Sequence, residues 1–332
     1  MRLAINWKNL FIPRRVWQAL GIESRTLDVL RRHGLPDVML QFLGGLGDEL
    51  LLSCVARELK KRSPGLRIWQ VSSAADLLRN NPDYAHVFSM DHWYLRYSNL
   101  LGARRLALRY TAQPVAGEQE IPPTEHIVAH LCRAAGITGE IEVRPYHHQS
   151  EAEKRSGKIH EKQVCIQSIG EYTHETWMRN KLWFHDRFQA VVDELGVMRP
   201  DVRVIQIGVA QDHPLSGVTD LRGGTGLRET AAILSRSLCF IGTQGFLAHL
   251  ARAVDCRSVI VFGGREHSWQ SGYGCNENLD SFTDCAPCWR WNACDQDRRC
   301  MDMIGVEEVL AAVLTVLGKS GSPPEEQTVF LG

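Results

Sequence analysis

The residue types that could do chemistry sit in two glycine-rich turns, an arginine cluster and a knot of cysteines. In residues 238–264, LCFIGTQGFLAHLARAVDCRSVIVFGG, a short apolar run passes through Gly242, Gln244 and Gly245, then shows apolar residues at Leu247, Leu250, Ala251 and Val254. This reads as strand, tight turn and helix, with a second strand at 258–262. Glycines there let the backbone approach a ligand closely, and the free N–H groups of a helix's first turn favour an anion. A phosphate fits that place, and His249, one turn inside the helix on the side of Gly245, would point at it.

The second turn follows a buried-strand pattern at 38–43 and reads GGLGDELLLSCVARELKKRSPG. Gly44, Gly45 and Gly47 make the turn, and Asp48 opens a helix to about Arg62 with its apolar stripe at Leu51, Leu52, Val55 and Leu59. There is no Gly-Lys-Ser/Thr, so no Walker loop, and the third glycine of the dinucleotide fingerprint is missing. On spacing alone Asp48 is a helix-capping aspartate. Its carboxylate is expected to stay ionised there, since the helix dipole favours charge.

Arg96, Arg104, Arg105 and Arg109 lie in a stretch, 93–110, without an acidic residue and with four aromatics. Guanidinium forks match carboxylates and phosphates, and rings stack on sugars, so an anionic saccharide suits them. A solvated helical face fits the same residues equally well. Cys285, Cys288, Cys294 and Cys300 stand at C-x2-C-x5-C-x5-C, which suits a soft, tetrahedral zinc or iron ion. No histidine accompanies them, so the ion would be structural. Reduced thiols or two disulfides remain open. Asp295-Gln296-Asp297 lies between cysteines rather than at a strand end and reads as a chance Asp-x-Asp.

The elements around these residues alternate strand and helix, the pattern of a parallel α/β sheet. At 332 residues the chain suits two domains. A polar stretch at 144–163 reads as the linker, giving a domain at 35–150 and another at 151–318, which contains the cysteines. Residues 121–136 read as a helix. Residues 1–34 form a basic, aromatic extension, which either rests on an anionic membrane face or packs on the first domain. Residues 319–332 are rich in Ser, Pro and Glu and read as a flexible tail. Lys plus Arg and Asp plus Glu both number 38, which leaves no global field for nucleic acid. No signal peptide and no run of about 20 apolar residues is present, so a cytoplasmic protein is expected, with contact at the inner membrane face left open.

The turn at 242–246, the His-Leu-Ala on its helix and the strand ending in Phe-Gly resemble the donor-binding segment of glycosyltransferase family nine, the heptosyltransferase-like enzymes. Gly-Leu-Gly-Asp before a leucine-rich helix resembles that family's opening, and Lys181-Leu-Trp its Lys-x-Trp. The resemblance covers residues 37–315 and implies a GT-B fold, two Rossmann-like domains with parallel sheets facing across a cleft. It implies inverting transfer of a heptose-like sugar from a nucleotide sugar, such as ADP-heptose, to a hydroxyl of an anionic glycan or glycolipid. Asp48 would be the base, and no cofactor would be needed for catalysis. Lys181, Gln244, Gly245 and His249, with Gly44, Gly45 and Gly47, would hold the donor; Arg96, Arg104 and Arg105 would hold the acceptor. Positive charge at Lys181 and His249 would face the departing diphosphate. The chain departs from the family where Gln244, Gly245 and Phe246 replace Asp-Ser-Gly or Asp-Thr-Gly. Gln211-Asp212 stands where the family often has a glutamate near the nucleoside. Many members carry cysteine clusters in this region, and a subgroup that glycosylates autotransporter proteins holds iron there. Two alternatives therefore stay open: a protein O-glycosyltransferase with a metal-binding cysteine motif, and a non-catalytic nucleotide-sugar-binding protein.

Overall fold

A computed structural model describes residues 32–42, 44–89, 103–111, 119–169, 176–319 and 321–332. Most of the basic extension, and Arg96, lie outside the described residues. In the first half, β1 (Val38–Phe42) is buried along its whole length and leads into α1 (Leu46–Arg62). The strands β2 (Ile68–Ser72), β3 (His86–Ser89) and β4 (Arg104–Leu108) complete a parallel sheet in the order β3-β2-β1-β4. Helix α1 carries Asp48 and Glu49 in its first turn and Lys60, Lys61 and Arg62 in its last, so its charges complement the helix dipole.

Helix α2 (Ile127–Ala134) begins later than the expected 121, because His126 caps it by accepting the Val128 N–H on Nδ1 at 3.2 Å. The strand β5 (Gly139–Glu142) follows, and the expected linker then contains α3 (Glu151–Ser156), closed at its start by a Ser150–Glu153 capping box. That stretch is anchored to both halves. Buried Arg228 pairs with Glu153 at 2.6 Å and donates to the Asp76 and His148 carbonyls.

The second half alternates β6 (Gln163–Ile166), α4 (His185–Met198), β7 (Arg203–Gln206), β8 (Thr219–Asp220), α5 (Leu227–Ser235), β9 (Cys239–Thr243), α6 (Phe246–Ala253), β10 (Ser258–Gly263) and β11 (Glu277–Asp280). The sheet order is β11-β10-β9-β6-β7-β8, parallel throughout. The strand, turn, helix and strand expected at 238–264 are β9, α6 and β10. Val191, Leu195 and Val313 cover one face of this sheet, from α4 and α7 (Val306–Gly318), while Ile233 and Leu250, from α5 and α6, cover the other. Leu50 of α1 joins the latter cluster, so the two halves share apolar packing.

The expectation of a flexible tail is corrected. The strand β12 (Thr328–Leu331) pairs antiparallel with β5, and Leu331 closes the first half's core. Glu326 accepts from buried Arg252 at 2.7 Å and pairs with Arg144. Alternating apolar residues at Val329 and Leu331 make this possible; composition alone hides them. Among the described residues no helix is long and apolar enough to cross a membrane.

Candidate active site

The carboxyl ends of β1 and β4 bring Asp48 and Tyr110 together. Gly45, with φ −80 and ψ 177, is the true N-cap of α1, and Asp48 stands three residues in, its Oδ2 accepting the Gly45 N–H at 2.9 Å. The Tyr110 hydroxyl donates to Asp48 Oδ1 at 2.5 Å. The expectation that the helix start makes the charged form of Asp48 the favoured one is therefore corrected. Burial raises its carboxyl above the ordinary 3.8; Tyr110, Gly45 and the Lys181 charge oppose this only in part, and Glu120 adds to the rise. A carboxylate whose proton affinity is raised is a better base. Gly44 makes room for it, since a Cβ there would fall 2.3 Å from Asp48 Oδ2.

On the other half, a 3-10 turn, Thr176–Lys181, delivers Lys181. Its Nζ donates to Gln244 Oε1 at 2.5 Å and pairs with Glu266 Oε1 at 3.1 Å. Gln244 thus places its carbonyl oxygen on the lysine. Glu266 is buried, and burial pushes its carboxyl up, yet Lys181, Arg265 and the Ser271 hydroxyl together hold it below the usual range. Arg265 Nη1 reaches the same Glu266 Oε1 at 2.8 Å, and its Nη2 reaches Glu120 Oε2 at 2.6 Å, on the first half. Glu120 Oε1 in turn accepts from the Thr111 hydroxyl at 3.2 Å, beside Tyr110. Polar contacts, joined through the Tyr110–Thr111 peptide, therefore run from Asp48 to Lys181 between the two halves. Tyr110, Glu120, Arg265 and Glu266 went unread in the sequence as site residues. Arg265 and Glu266 directly follow the glycines that end β10, a position at the sheet edge where ligands bind, and that was the one available signal.

Several expected site residues are engaged in other contacts. His249 is buried, and its Nδ1 meets the Tyr273 hydroxyl at 2.7 Å. Burial drives its pKa down to about 3, so it is neutral and supplies no positive charge to a diphosphate. Gly47 faces α6 rather than open space, since a Cβ there would come 3.1 Å from His249 Cδ2 and 3.4 Å from Phe246 Cα. The Gly45 N–H is taken by Asp48. Gly245 caps α6 as expected. Arg104 and Arg105 lie on a strand, not a helix, so they face opposite sides. They stand at the amino end of β4, about 13 Å of strand from its other end, and donate to the Ala135 carbonyl at 3.1 Å and Gln41 Oε1 at 2.7 Å. They do not form one anion patch beside Asp48. Buried Asp212 folds back on its own turn, accepting the Val209 N–H at 3.1 Å.

Cys285, Cys288, Cys294 and Cys300 line one cavity of about 160 Å³, with Asn180 and Arg265. None of the four is paired in a disulfide in this structure. Burial pushes Cys288 and Cys300 up. The donor set suits zinc or iron, but among the described residues no three of His, Cys, Asp or Glu stand close enough to hold an ion. The metal site expected from spacing is thus a convergence of thiols on one cavity rather than a closed cage.

No family model matches the chain. The lipopolysaccharide heptosyltransferase 3 of Escherichia coli K12 is 24% identical over 156 residues, 41% of this chain and 43% of that protein, so the chain spans less than half the length of this curated relative. Among solved structures, the E. coli ADP-heptose LPS heptosyltransferase II aligns with TM-score 0.64 at 13% identity, covering 86% of this chain and 100% of that one. TibC of enterotoxigenic E. coli, an iron-containing dodecamer solved with ADP-D-β-D-heptose, aligns with TM-score 0.65 at 18% identity, covering 86% and 77%. A family nine glycosyl transferase from Veillonella parvula aligns at 0.62 with 15% identity, covering 85% and 97%. The chain has the GT-B fold and is similar to these heptosyltransferases, in keeping with the resemblance read from its motifs.

Proposed function

We propose that the chain transfers a heptose-class sugar from an ADP-sugar donor to an acceptor hydroxyl, with inversion. The observation that carries this is the Asp48 carboxyl, oriented by Tyr110 and Gly45, raised in proton affinity, and within reach of the Lys181 charge on the other half. The acceptor oxygen attacks the anomeric carbon, the bond from that carbon to the diphosphate oxygen breaks, and the electron pair leaves with ADP. The acceptor's proton passes to Asp48. Lys181 would stabilise the departing diphosphate with its positive charge, helped by the α6 N-terminus at Gly245. No ion is assigned to these steps.

The ADP-heptose in the TibC structure motivates the choice of donor class. The experiment is a thermal-shift screen across nucleotide sugars, followed by ADP release with glycan and peptide acceptors in parallel. A bound donor raises apparent stability according to its affinity. Stabilisation by ADP-heptose with acceptor-dependent ADP release supports the reading. Binding without release favours a non-catalytic binder, and a response to peptide alone favours a protein acceptor.

A further inference from the structure

We infer that Glu120 and Arg265 are a positioning pair, whose ion pair between the two halves sets the separation of Asp48 and Lys181 on which transfer depends. This rests on the reading of Asp48 as base. Arg265 is held from several directions. Its Nε donates to the Arg290 carbonyl at 3.1 Å, its guanidinium lies 5.0 Å from the Trp289 ring centre, and its two terminal nitrogens reach Glu266 and Glu120. Its side chain is 2% exposed, so it is a fixed arm rather than a mobile surface charge. Glu120 is likewise tied. Its N–H donates to the Trp289 carbonyl at 3.0 Å, and its Oε1 takes the hydroxyl of Thr111, the residue after the Asp48 partner Tyr110. Shifting Glu120 therefore shifts the support of Asp48, and shifting Arg265 shifts the Glu266 oxygen that Lys181 shares. A buried ion pair is a weak source of net stability, because desolvation offsets its attraction. Its location between base and lysine points to geometry.

The groups facing Asp48 are the Tyr110 hydroxyl, the Gly45 N–H, and the charges of Lys181 and Glu120. Removing the Glu120 charge makes the Asp48 carboxylate easier to form, so the acid limb of the rate profile must move to lower pH. A change in fold stability alone would not move that limb.

The test uses the full chain with ADP-heptose as donor, ADP as the binding probe, and Glu120→Gln, Glu120→Asp and Arg265→Lys. Expected for Glu120→Gln are a fall in kcat of about tenfold or more, ADP affinity near wild type, and an acid limb at lower pH. Glu120→Asp keeps the charge but shortens the arm, so kcat falls while the limb stays. Arg265→Lys should follow the same loss of kcat without leaving two buried carboxylates bare. Unchanged kcat and limb in Glu120→Gln overturn the proposal, as does a lowered Tm with normal kinetic constants. A loss of ADP affinity of about tenfold also overturns it, since Glu120 would then touch donor. Asp48→Asn assayed alongside separates the two ideas. If it is fully active, the base reading fails whatever Glu120 does; if it is inactive and Glu120→Gln is normal, only the pair fails.

Discussion

Tyr110 donates its hydroxyl to Asp48 at 2.5 Å, from a position 62 residues further along the chain. That bond favours the ionised carboxyl, yet burial still leaves Asp48 above its ordinary range. Tyr110→Phe removes the lowering influence and keeps the ring against Phe42. The Asp48 pKa should then rise further, moving the acid limb of kcat to higher pH, the opposite direction from Glu120→Gln. The lost hydrogen bond to a charged group costs about 1.5 to 3 kcal/mol at most. A pH-rate profile checks this, and an unmoved limb would count against Asp48 as the titrating group.

Lys181→Met should weaken ADP binding by roughly tenfold or more, since a charge-assisted contact to phosphate is lost. The fold should survive, because Glu266 keeps Arg265 at 2.8 Å and the Ser271 hydroxyl at 2.8 Å. Calorimetry with ADP measures it. Wild-type affinity would move the diphosphate away from this lysine.

The regular scaffold was legible because its signal is local. Leu51, Val55 and Leu59 mark α1 by spacing, and the run from 238 to 264 marks β9, α6 and β10. The site was half legible. Asp48 and Lys181 stand in motifs, but their partners are set by tertiary approach: Glu120 meets Arg265 from 145 residues away. His249 looked like a ligand contact because its helix position is right. The approach of Gly47 and Tyr273, which buries it, has no local trace. Arg104 and Arg105 misled because a basic run was read by composition, while the strand that carries them alternates their sides.

His249→Ala should behave as a core change. It removes the contact to the Tyr273 hydroxyl and leaves space beside Gly47, costing about 2 kcal/mol or more. ADP affinity per folded molecule should change by about twofold or less, as no charge is lost. A Tm close to wild type with a large loss of ADP binding would restore His249 to the donor site.

Among the four clustered cysteines, alkylation at pH 7.5 should label Cys285 first, since it is exposed, and Cys288 and Cys300 last, since burial raises their thiols. Mass mapping against time reads the order, with zinc and iron measured in the same sample. Uniform protection of all four with about one ion per chain would instead mean that the loop closes on metal, and chelation should then expose all four together.

The most direct measurement is Asp48→Asn, scored for ADP release, ADP affinity and Tm together. Transfer should fall about 100-fold or more with ADP affinity unchanged. The stability sign follows from linkage. A carboxyl whose folded pKa lies above its unfolded value contributes stability at low pH that is lost as pH rises through the folded pKa. Burial disfavours the charged form of Asp48, so the neutral Asn should leave Tm equal or higher. An inactive variant that binds ADP normally and is no less stable is the result this account predicts. A fully active Asp48→Asn protein would contradict it.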